Sequence, residues 1–197
     1  KGVMVNQQNL TDYFYGLNSR IQIDQAKTFL LMSSLSTDLG NTTLYSSLIY
    51  GKTLHLLSKD SLRNIEYVHQ YFDQNDIDCI KIVPTFWKAL VNDNKPLLPK
   101  KMIVFGGEEL SKGIIEKIKE VNNELKIVNH YGPTETTIGK LIYPVDDEPL
   151  HDRTPLGRTF SNASAYVLTE DLIPLPIGII GNLYISGAGV SNGYLNN

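Results

Sequence analysis

The run Asn129-His130-Tyr131-Gly132-Pro133-Thr134-Glu135-Thr136-Thr137 sets four hydroxyl- or carboxylate-bearing residues in succession behind an aromatic ring and an amide. Hydroxyls and backbone N–H groups bind phosphate oxygens, a carboxylate holds Mg²⁺, and an aromatic ring stacks on a base, so the run suits a nucleotide. It equally fits a plain turn, because Gly-Pro punctuates many loops, and spacing alone leaves both readings open. A second chemical oddity is Lys81, which interrupts the apolar stretch Cys79 to Val83. A lysine there must either reach water along its stem or find a partner, since an unpaired buried ammonium is costly. Cys79 in the same stretch has no base beside it and reads as a small core thiol. His55, His69 and His151 show no metal-ligand spacing, and no Gly-x-x-x-x-Gly-Lys-Ser/Thr phosphate loop occurs.

Short apolar runs must position these residues: Phe29-Leu30-Leu31-Met32, Thr53-Leu54-His55-Leu56-Leu57, Cys79-Ile80-Lys81-Ile82-Val83, Lys101-Met102-Ile103-Val104-Phe105 and Lys126-Ile127-Val128. Each reads as a buried strand. Between them, Leu62, Ile65, Val68 or His69, and Phe72 recur at helical spacing after a cap at Ser61. Ile114, Ile115, Ile118 and Val121 do so after Ser111. Strand then helix, repeated, predicts an α/β fold: a flavodoxin-like parallel sheet flanked by helices. Ligands in such sheets sit beyond the carboxyl ends of the strands, here the loops after Val83, Phe105 and His130. After about Leu141, prolines 144, 149, 155, 174 and 176 punctuate short β-rich runs such as Ala165-Tyr166-Val167-Leu168. The expected organisation is a parallel α/β subdomain over 1–140, followed over 141–197 by part of a smaller antiparallel β subdomain.

The 197 residues are 42% hydrophobic and 20% charged, an ordinary globular composition able to bury a core. A net charge of −3 without a Lys/Arg run argues against nucleic acid or an anionic membrane as partner. One cysteine excludes a disulfide within the chain and fits a reducing cytoplasm. No secretory signal or bilayer-length apolar stretch is present. Lys1-Gly2-Val3 and Tyr194-Leu195-Asn196-Asn197 both read as the middle of something longer.

The nine-residue run resembles a core motif of the adenylate-forming superfamily, in particular the amino-acid adenylation domains of nonribosomal peptide synthetases. Other blocks follow in the same order along the whole chain. Lys1-Gly2-Val3-Met4-Val5 is similar to the tail of the family's phosphate loop, and Gly106-Gly107-Glu108 before Leu110-Ser111 to its adenine-side loop. Pro155-Leu156-Gly157-Arg158, Ala165 to Leu168 and Gly181 to Leu195 match later blocks. Gln7, Asn182, Ser191 and Asn192 depart from the usual pattern, at positions that look structural. The resemblance implies an enzyme that joins an amino-acid carboxylate to the α-phosphorus of Mg²⁺-ATP, releases pyrophosphate, and passes the aminoacyl group to the phosphopantetheine thiol of a peptidyl carrier domain. It implies that Thr134 binds phosphate and Glu135 ligates Mg²⁺. Asn129, Tyr131 and Gly132, with the backbone of Gly106, Gly107 and Glu108, would form the nucleotide slot, and Lys1 would lie at the phosphate loop's exit. It also implies a glycine-rich segment before Lys1, and a ribose-binding aspartate, a hinge and a catalytic lysine after Asn197. The chain alone is therefore expected to be nearly inactive.

The same resemblance puts Asp38 where the family pairs the substrate's α-ammonium, with Leu39, Thr42, Lys81, Val104, Gly106, His130, Ile138 and Gly139 lining the side-chain pocket. Two cationic or hydrogen-bonding groups, Lys81 and His130, facing one small cavity ask for an anionic ligand. L-Aspartate fits. Its ammonium meets Asp38, its β-carboxylate meets Lys81 and His130, Thr42 offers a hydroxyl, and Leu39 and Val104 limit the depth. Asparagine is the near competitor, and glutamate is too long. An acyl- or aryl-CoA ligase would share the nucleotide blocks but gives Asp38 no ammonium to pair. A truncated, non-catalytic binding module is the remaining alternative.

Overall fold

A computed structural model describes residues 2–91, 95–145 and 153–196. Seven strands form one sheet: β1 (Thr28–Leu31), β2 (Thr53–Leu56), β3 (Cys79–Ile82), β4 (Met102–Gly106), β5 (Lys126–Tyr131), β6 (Leu141–Val145) and β7 (Arg158–Thr159). Their order is β2-β1-β3-β4-β5-β6-β7. The first five strands run parallel, whereas β6 pairs antiparallel with β5, and β7 antiparallel with β6. The chain leaves β1 toward one edge and returns to its other side at β3. The crevice beyond the carboxyl ends of β1 and β3 is thus the point where strand order reverses, the preferred ligand site of such sheets.

Strand alternation divides the interior into two cores. Leu30, Ile80, Ile82, Ile103, Phe105 and Ile127 face α4 (Ile65–Gln74), α5 (Pro84–Ala89) and α6 (Lys112–Val121), whose Val68, Trp87, Ile114 and Ile118 complete that layer. Phe29, Cys79, Met102, Val104 and Val128 face the other way, against Tyr13, Phe14, Leu17 and Ile21 of α1 (Gln7–Ile21). Lys81 shares the phase of Cys79 and is paired in register with Leu31 and Val104, so the period of two turns it toward α1. Cys79 is buried, and its thiol is pushed up to about 12 by desolvation, consistent with an inert core residue.

Several local expectations change. α1 has no counterpart in the strand–helix pattern read from Thr28 onward. It starts at an Asn6–Asn9 capping box, the Asn9 N–H donating to Asn6 Oδ1 at 2.9 Å and the Asn6 N–H to Asn9 Oδ1 at 3.0 Å. In place of the single helix expected after Ser61, α3 (Lys59–Arg63) is capped by Ser58, and Asn64, in an extended conformation, accepts from Tyr67 N–H and starts α4 anew. Ser111 occupies the N-cap position of α6 without a side-chain bond, and Val121, expected in the core, is 60% exposed. β2 is an edge strand with no fully buried residue, because only β1 covers it. The β-rich character after Leu141 begins as a change of strand direction within the main sheet. The separate sheet is the hairpin of β8 (Ala163–Leu168) and β9 (Asn182–Gly187). Pro144 is tolerated in β6 because β7 pairs only with Leu141 and Ile142, leaving it one neighbouring strand.

Candidate active site

At the reversal point the chain turns from β1 into a short 3-10 helix, Asp38–Gly40, and then α2 (Asn41–Ile49), a helix whose buried face is hydroxylic: Thr42, Thr43, Ser46 and Ser47. This polar face receives Lys81. The lysine is 1% exposed and donates to Thr42 Oγ1 at 2.9 Å and to His130 Nδ1 at 3.0 Å. Burial lowers the Lys81 pKa to about 7, a shift that Asp38 opposes with its negative charge. Asp38 presents a buried Oδ2 with no partner among the described residues. Leu39 completes the approach to Gly106, where a Cβ would press on the Lys81 stem and the His130 carbonyl.

His130 lies near the end of β5, in register with Gly106. Its ring stacks on Phe160 with centroids 6.2 Å apart, meets Tyr13 edge-on, and rests against Gly139, where any Cβ would collide with its Cε1–Nε2 edge. Burial first, then the charges of Lys81 and Lys140, hold its pKa well below the usual imidazole value. The ring is therefore neutral, and when Lys81 carries its charge Nδ1 must be the acceptor, which puts the ring proton on Nε2, a buried atom with no partner among the described residues. Ile138 is buried at φ +67°, directly after Thr137 at φ +62°. Two successive left-handed non-glycine residues, both β-branched, mark a strained exit from the motif loop. A cavity of about 160 Å³ lies beside this region, lined by Asp38, Asn41, Tyr45, Thr134, Thr137 and Ile138 among others.

A larger crevice of about 500 Å³ opens on the far side of the same strand ends, between Gly107–Leu110 and Asn129–Pro133, with Arg153, Thr154 and Leu156 opposite. Gly107 takes φ +80°, a conformation suited to glycine, at the turn out of β4. The Glu108 carboxylate accepts from Thr85 N–H at 2.9 Å and from Thr85 Oγ1 at 2.7 Å, so its side chain caps α5. Asn129 Nδ2 donates to the Pro155 carbonyl at 2.9 Å, tying the crevice's two walls together. Tyr131 is 39% exposed at its mouth. A Cβ on Gly132 would collide with the Gly139 backbone, and one on Gly139 with the His130 ring and the Tyr131 carbonyl, and this closes the motif loop on itself. Within the loop, Thr134 and Glu135 begin a one-turn 3-10 helix. Thr134 is exposed, while Glu135 Oε1 accepts from Tyr194 Oη at 2.5 Å and its carbonyl accepts from Ser191 N–H.

The residues named from the sequence thus fall into two adjoining groups. Asp38 and Ile138 line the smaller cavity, while Thr42, Lys81 and His130 form a buried cluster against Leu39, Gly106 and Gly139, with Val104 in the core beside Lys81. Gly107, Glu108, Asn129, Tyr131 and Gly132 line the larger crevice. Thr134 lines the smaller cavity, Glu135 follows it in the 3-10 helix, and Lys1 lies outside the described residues. His55 bonds Tyr71 and His69 bonds the Leu90 carbonyl, both structural contacts, and His151 lies outside the described residues. Sequence reasoning missed Tyr13, whose hydroxyl lies 2.7 Å from Thr42 Oγ1, and the buried ion pair of Lys140 with Asp12 at 2.5 Å. No helix among the described residues is long and apolar enough to cross a membrane.

Nonribosomal peptide synthetases recur among the similar proteins. Bacitracin synthase 3 of Bacillus licheniformis is 34% identical over 204 residues, an alignment covering 100% of this chain and 3% of that protein. Tyrocidine synthase 3 of Brevibacillus parabrevis is 33% identical over 199 residues, again covering 100% of this chain and 3% of that protein. The chain therefore spans only a small part of the curated relatives it matches. Among solved structures, holo-AB3403, a four-domain nonribosomal peptide synthetase bound to AMP and glycine, superposes with a TM-score of 0.85 at 24% identity, over 98% of this chain and 15% of that one. CmiS6 superposes with a TM-score of 0.86 at 21% identity, over 98% and 48%. At these identities both structures show a shared fold. The model of the AMP-binding enzyme family matches residues 1–195, nearly the whole sequence over which the sheet, the crevice and the motif loop are built, and the chain belongs to that family.

Proposed function

We propose that this chain carries the amino-acid pocket and part of the nucleotide site of an ATP-dependent adenylating ligase of nonribosomal peptide synthesis, and that its amino acid is L-aspartate. The carboxylate oxygen of the amino acid attacks the α-phosphorus of ATP, the bond from that phosphorus to the bridging oxygen breaks, and pyrophosphate leaves. A carrier-domain phosphopantetheine thiol then attacks the acyl carbon, losing its proton and releasing AMP. The chain's own part is positioning and charge placement. The orphaned Asp38 Oδ2 suits an α-ammonium, Thr134 and the loop backbone suit phosphate oxygens, and Tyr131 at the crevice mouth suits the base. Among the described residues no group of three or more His, Cys, Asp or Glu could hold a metal by itself. Mg²⁺ fits Glu135 as one hard oxygen ligand, with phosphate oxygens supplying others, and it would neutralise phosphate charge.

The observation that carries the aspartate reading is Lys81. Its ammonium is buried, its two hydrogen-bond partners are both neutral, and Asp38, the nearby acid, is the group assigned to the substrate's ammonium. A β-carboxylate supplies the missing anion, and the Nε2–H of His130 is a second unpartnered donor in the same layer. Asparagine is a second reading, because a lysine with a pKa near 7 is partly neutral at neutral pH and then tolerates an amide. The test is amino-acid-dependent ATP–pyrophosphate exchange on the protein that contains this chain at its native length. Aspartate is expected to exceed asparagine and glutamate by at least about tenfold. Preference for asparagine would overturn the account of Lys81 but keep the reaction class, and no exchange with any amino acid would overturn both.

A further inference from the structure

We propose that Tyr13, on α1, is a positioning residue that fixes the Lys81 ammonium through Thr42 and thereby sets how strongly the pocket prefers a side-chain carboxylate to a carboxamide. The proposal rests on the aspartate reading above and adds to it a residue outside the pocket lining.

Lysine is a point charge on a four-carbon stem, and nothing in its own geometry fixes where its protons aim. In this pocket two of its three N–H groups are committed, one to Thr42 Oγ1 and one to His130 Nδ1, and those two bonds determine the direction of the third. His130 cannot drift, because Phe160, Tyr13 and the α-carbon of Gly139 hold its ring on three sides. Thr42 is fully buried too, but threonine splits between rotamers in a helix, so its hydroxyl needs a bonding reason to stay turned toward Lys81. The Tyr13 hydroxyl, 2.7 Å from Thr42 Oγ1, supplies that reason.

Tyr13 is itself immobile. Its ring is fully buried, meets Phe14 at 88° with centroids 4.8 Å apart, and packs on Phe160 at 5.7 Å. Desolvation pushes its phenol far above the usual tyrosine range, so the hydroxyl keeps its proton throughout the working pH range. Whichever of the two hydroxyls donates, Thr42 Oγ1 is bound on both sides, and the chain Tyr13–Thr42–Lys81–His130 is continuous from α1 through α2 and β3 to β5. An ammonium held by two fixed acceptors offers its remaining proton along one line, which rewards the charged carboxylate aligned with it. An ammonium that swings on its stem meets an amide oxygen nearly as well.

Tyr13→Phe removes only the hydroxyl and keeps the ring. Measured by pyrophosphate exchange on the native-length protein, it is expected to lower the aspartate-to-asparagine ratio of kcat/KM by about three- to tenfold, the loss expected from one buried neutral hydrogen bond. Thr42→Val is expected to lower the same ratio, Thr42→Ser to retain it, and the double variant Tyr13→Phe/Thr42→Val to be no worse than Thr42→Val alone, because the two act in series. A purely structural role would depress both substrates together and leave the ratio unmoved. If the wild type prefers aspartate but Tyr13→Phe leaves the ratio unchanged, or the two substitutions are additive, this proposal is wrong and the aspartate reading stands. If the wild type does not prefer aspartate, both fall. Should Tyr13→Phe fail to fold, the Thr42→Val and Thr42→Ser pair decides: equal ratios in both would overturn the relay.

Discussion

Two lysines are buried against the same face of this sheet, and they are held in opposite ways. Lys140, between β5 and β6, is closed off by the carboxylate of Asp12 at 2.5 Å, with the rings of Phe160 and Tyr13 at 5.5 and 5.9 Å from its ammonium. Lys81, on β3, has a hydroxyl and a neutral imidazole as its hydrogen-bond partners. The first is a complete ion pair that ties α1 to the strand exit. The second is an ion pair with one member missing, set where strand order reverses. A buried charge whose counter-charge comes from the chain serves the fold, whereas one offered only neutral acceptors is prepared for a charge from elsewhere.

Substitution at the structural pair is the severest test of that contrast. Asp12→Ala strands the Lys140 ammonium in the interior and is expected to destabilise the protein by about 3–5 kcal/mol in denaturant unfolding. A loss under 1 kcal/mol would mean that the pair is not what holds α1 in place. Lys81→Met is expected to behave inversely. Aspartate-dependent pyrophosphate exchange should drop by about two orders of magnitude, because the β-carboxylate then has no cation. Unfolding stability should stay level or rise. A variant that loses stability and keeps activity would invert the comparison.

The smallest effect, and the most specific, is in pH. Lys81 has a folded pKa of about 7 against 10.5 for the free side chain. Between those values the unfolded chain binds the proton that the folded chain lacks, so the group's contribution to stability falls as pH drops from 10.5 toward 7 and is level below 7. Lys81→Met removes this dependence. Relative to wild type the variant should gain about 2 kcal/mol between pH 9 and pH 7, read from paired unfolding curves. Parallel curves would show that the lysine is not buried unpaired in solution.

Much of the architecture was legible because the parallel strands are written as short apolar runs, and alternation then separates Cys79, Lys81 and Val104 from Ile80 and Ile82. The direction of Lys81 came only from the family resemblance, since taken alone a lysine in a strand points inward only if something polar waits there, and that something is α2. α2 is rich in Thr and Ser, weak helix formers, and turns Thr42, Thr43, Ser46 and Ser47 inward, a buried face that hydrophobic periodicity does not announce. α1 hid for a related reason: its start is an Asn-x-x-Asn box where a Ser/Thr and Glu/Gln pair is the stronger signal. Tyr13 sits between Asp12 and Phe14-Tyr15, where aromatic residues at helical spacing look like core alone. The Asp12–Lys140 pair joins residues so distant in sequence that charge patterning gives no hint of it.

The backbone near the start of the described chain is bound to the segment that follows β9. Met4 N–H donates to the Gly193 carbonyl, Asn192 N–H to Met4, Leu195 N–H to Gly2, and Val3 forms an antiparallel bridge with Tyr194. The same segment supplies the hydroxyl on Glu135 and the Gly189 carbonyl on Thr137. These contacts join residues nearly the whole sequence apart, so they gain nothing from local structure and belong late in folding. Late-forming, peripheral contacts are also the ones that open first in the native state. In hydrogen exchange, the Met4, Ser191 and Asn192 amides should lose protection together and well before those of β3 and β4. On that expectation the carboxylate end of the motif loop is tied to a segment that opens early, while the Lys81 cluster is anchored in the central strands β3 and β5.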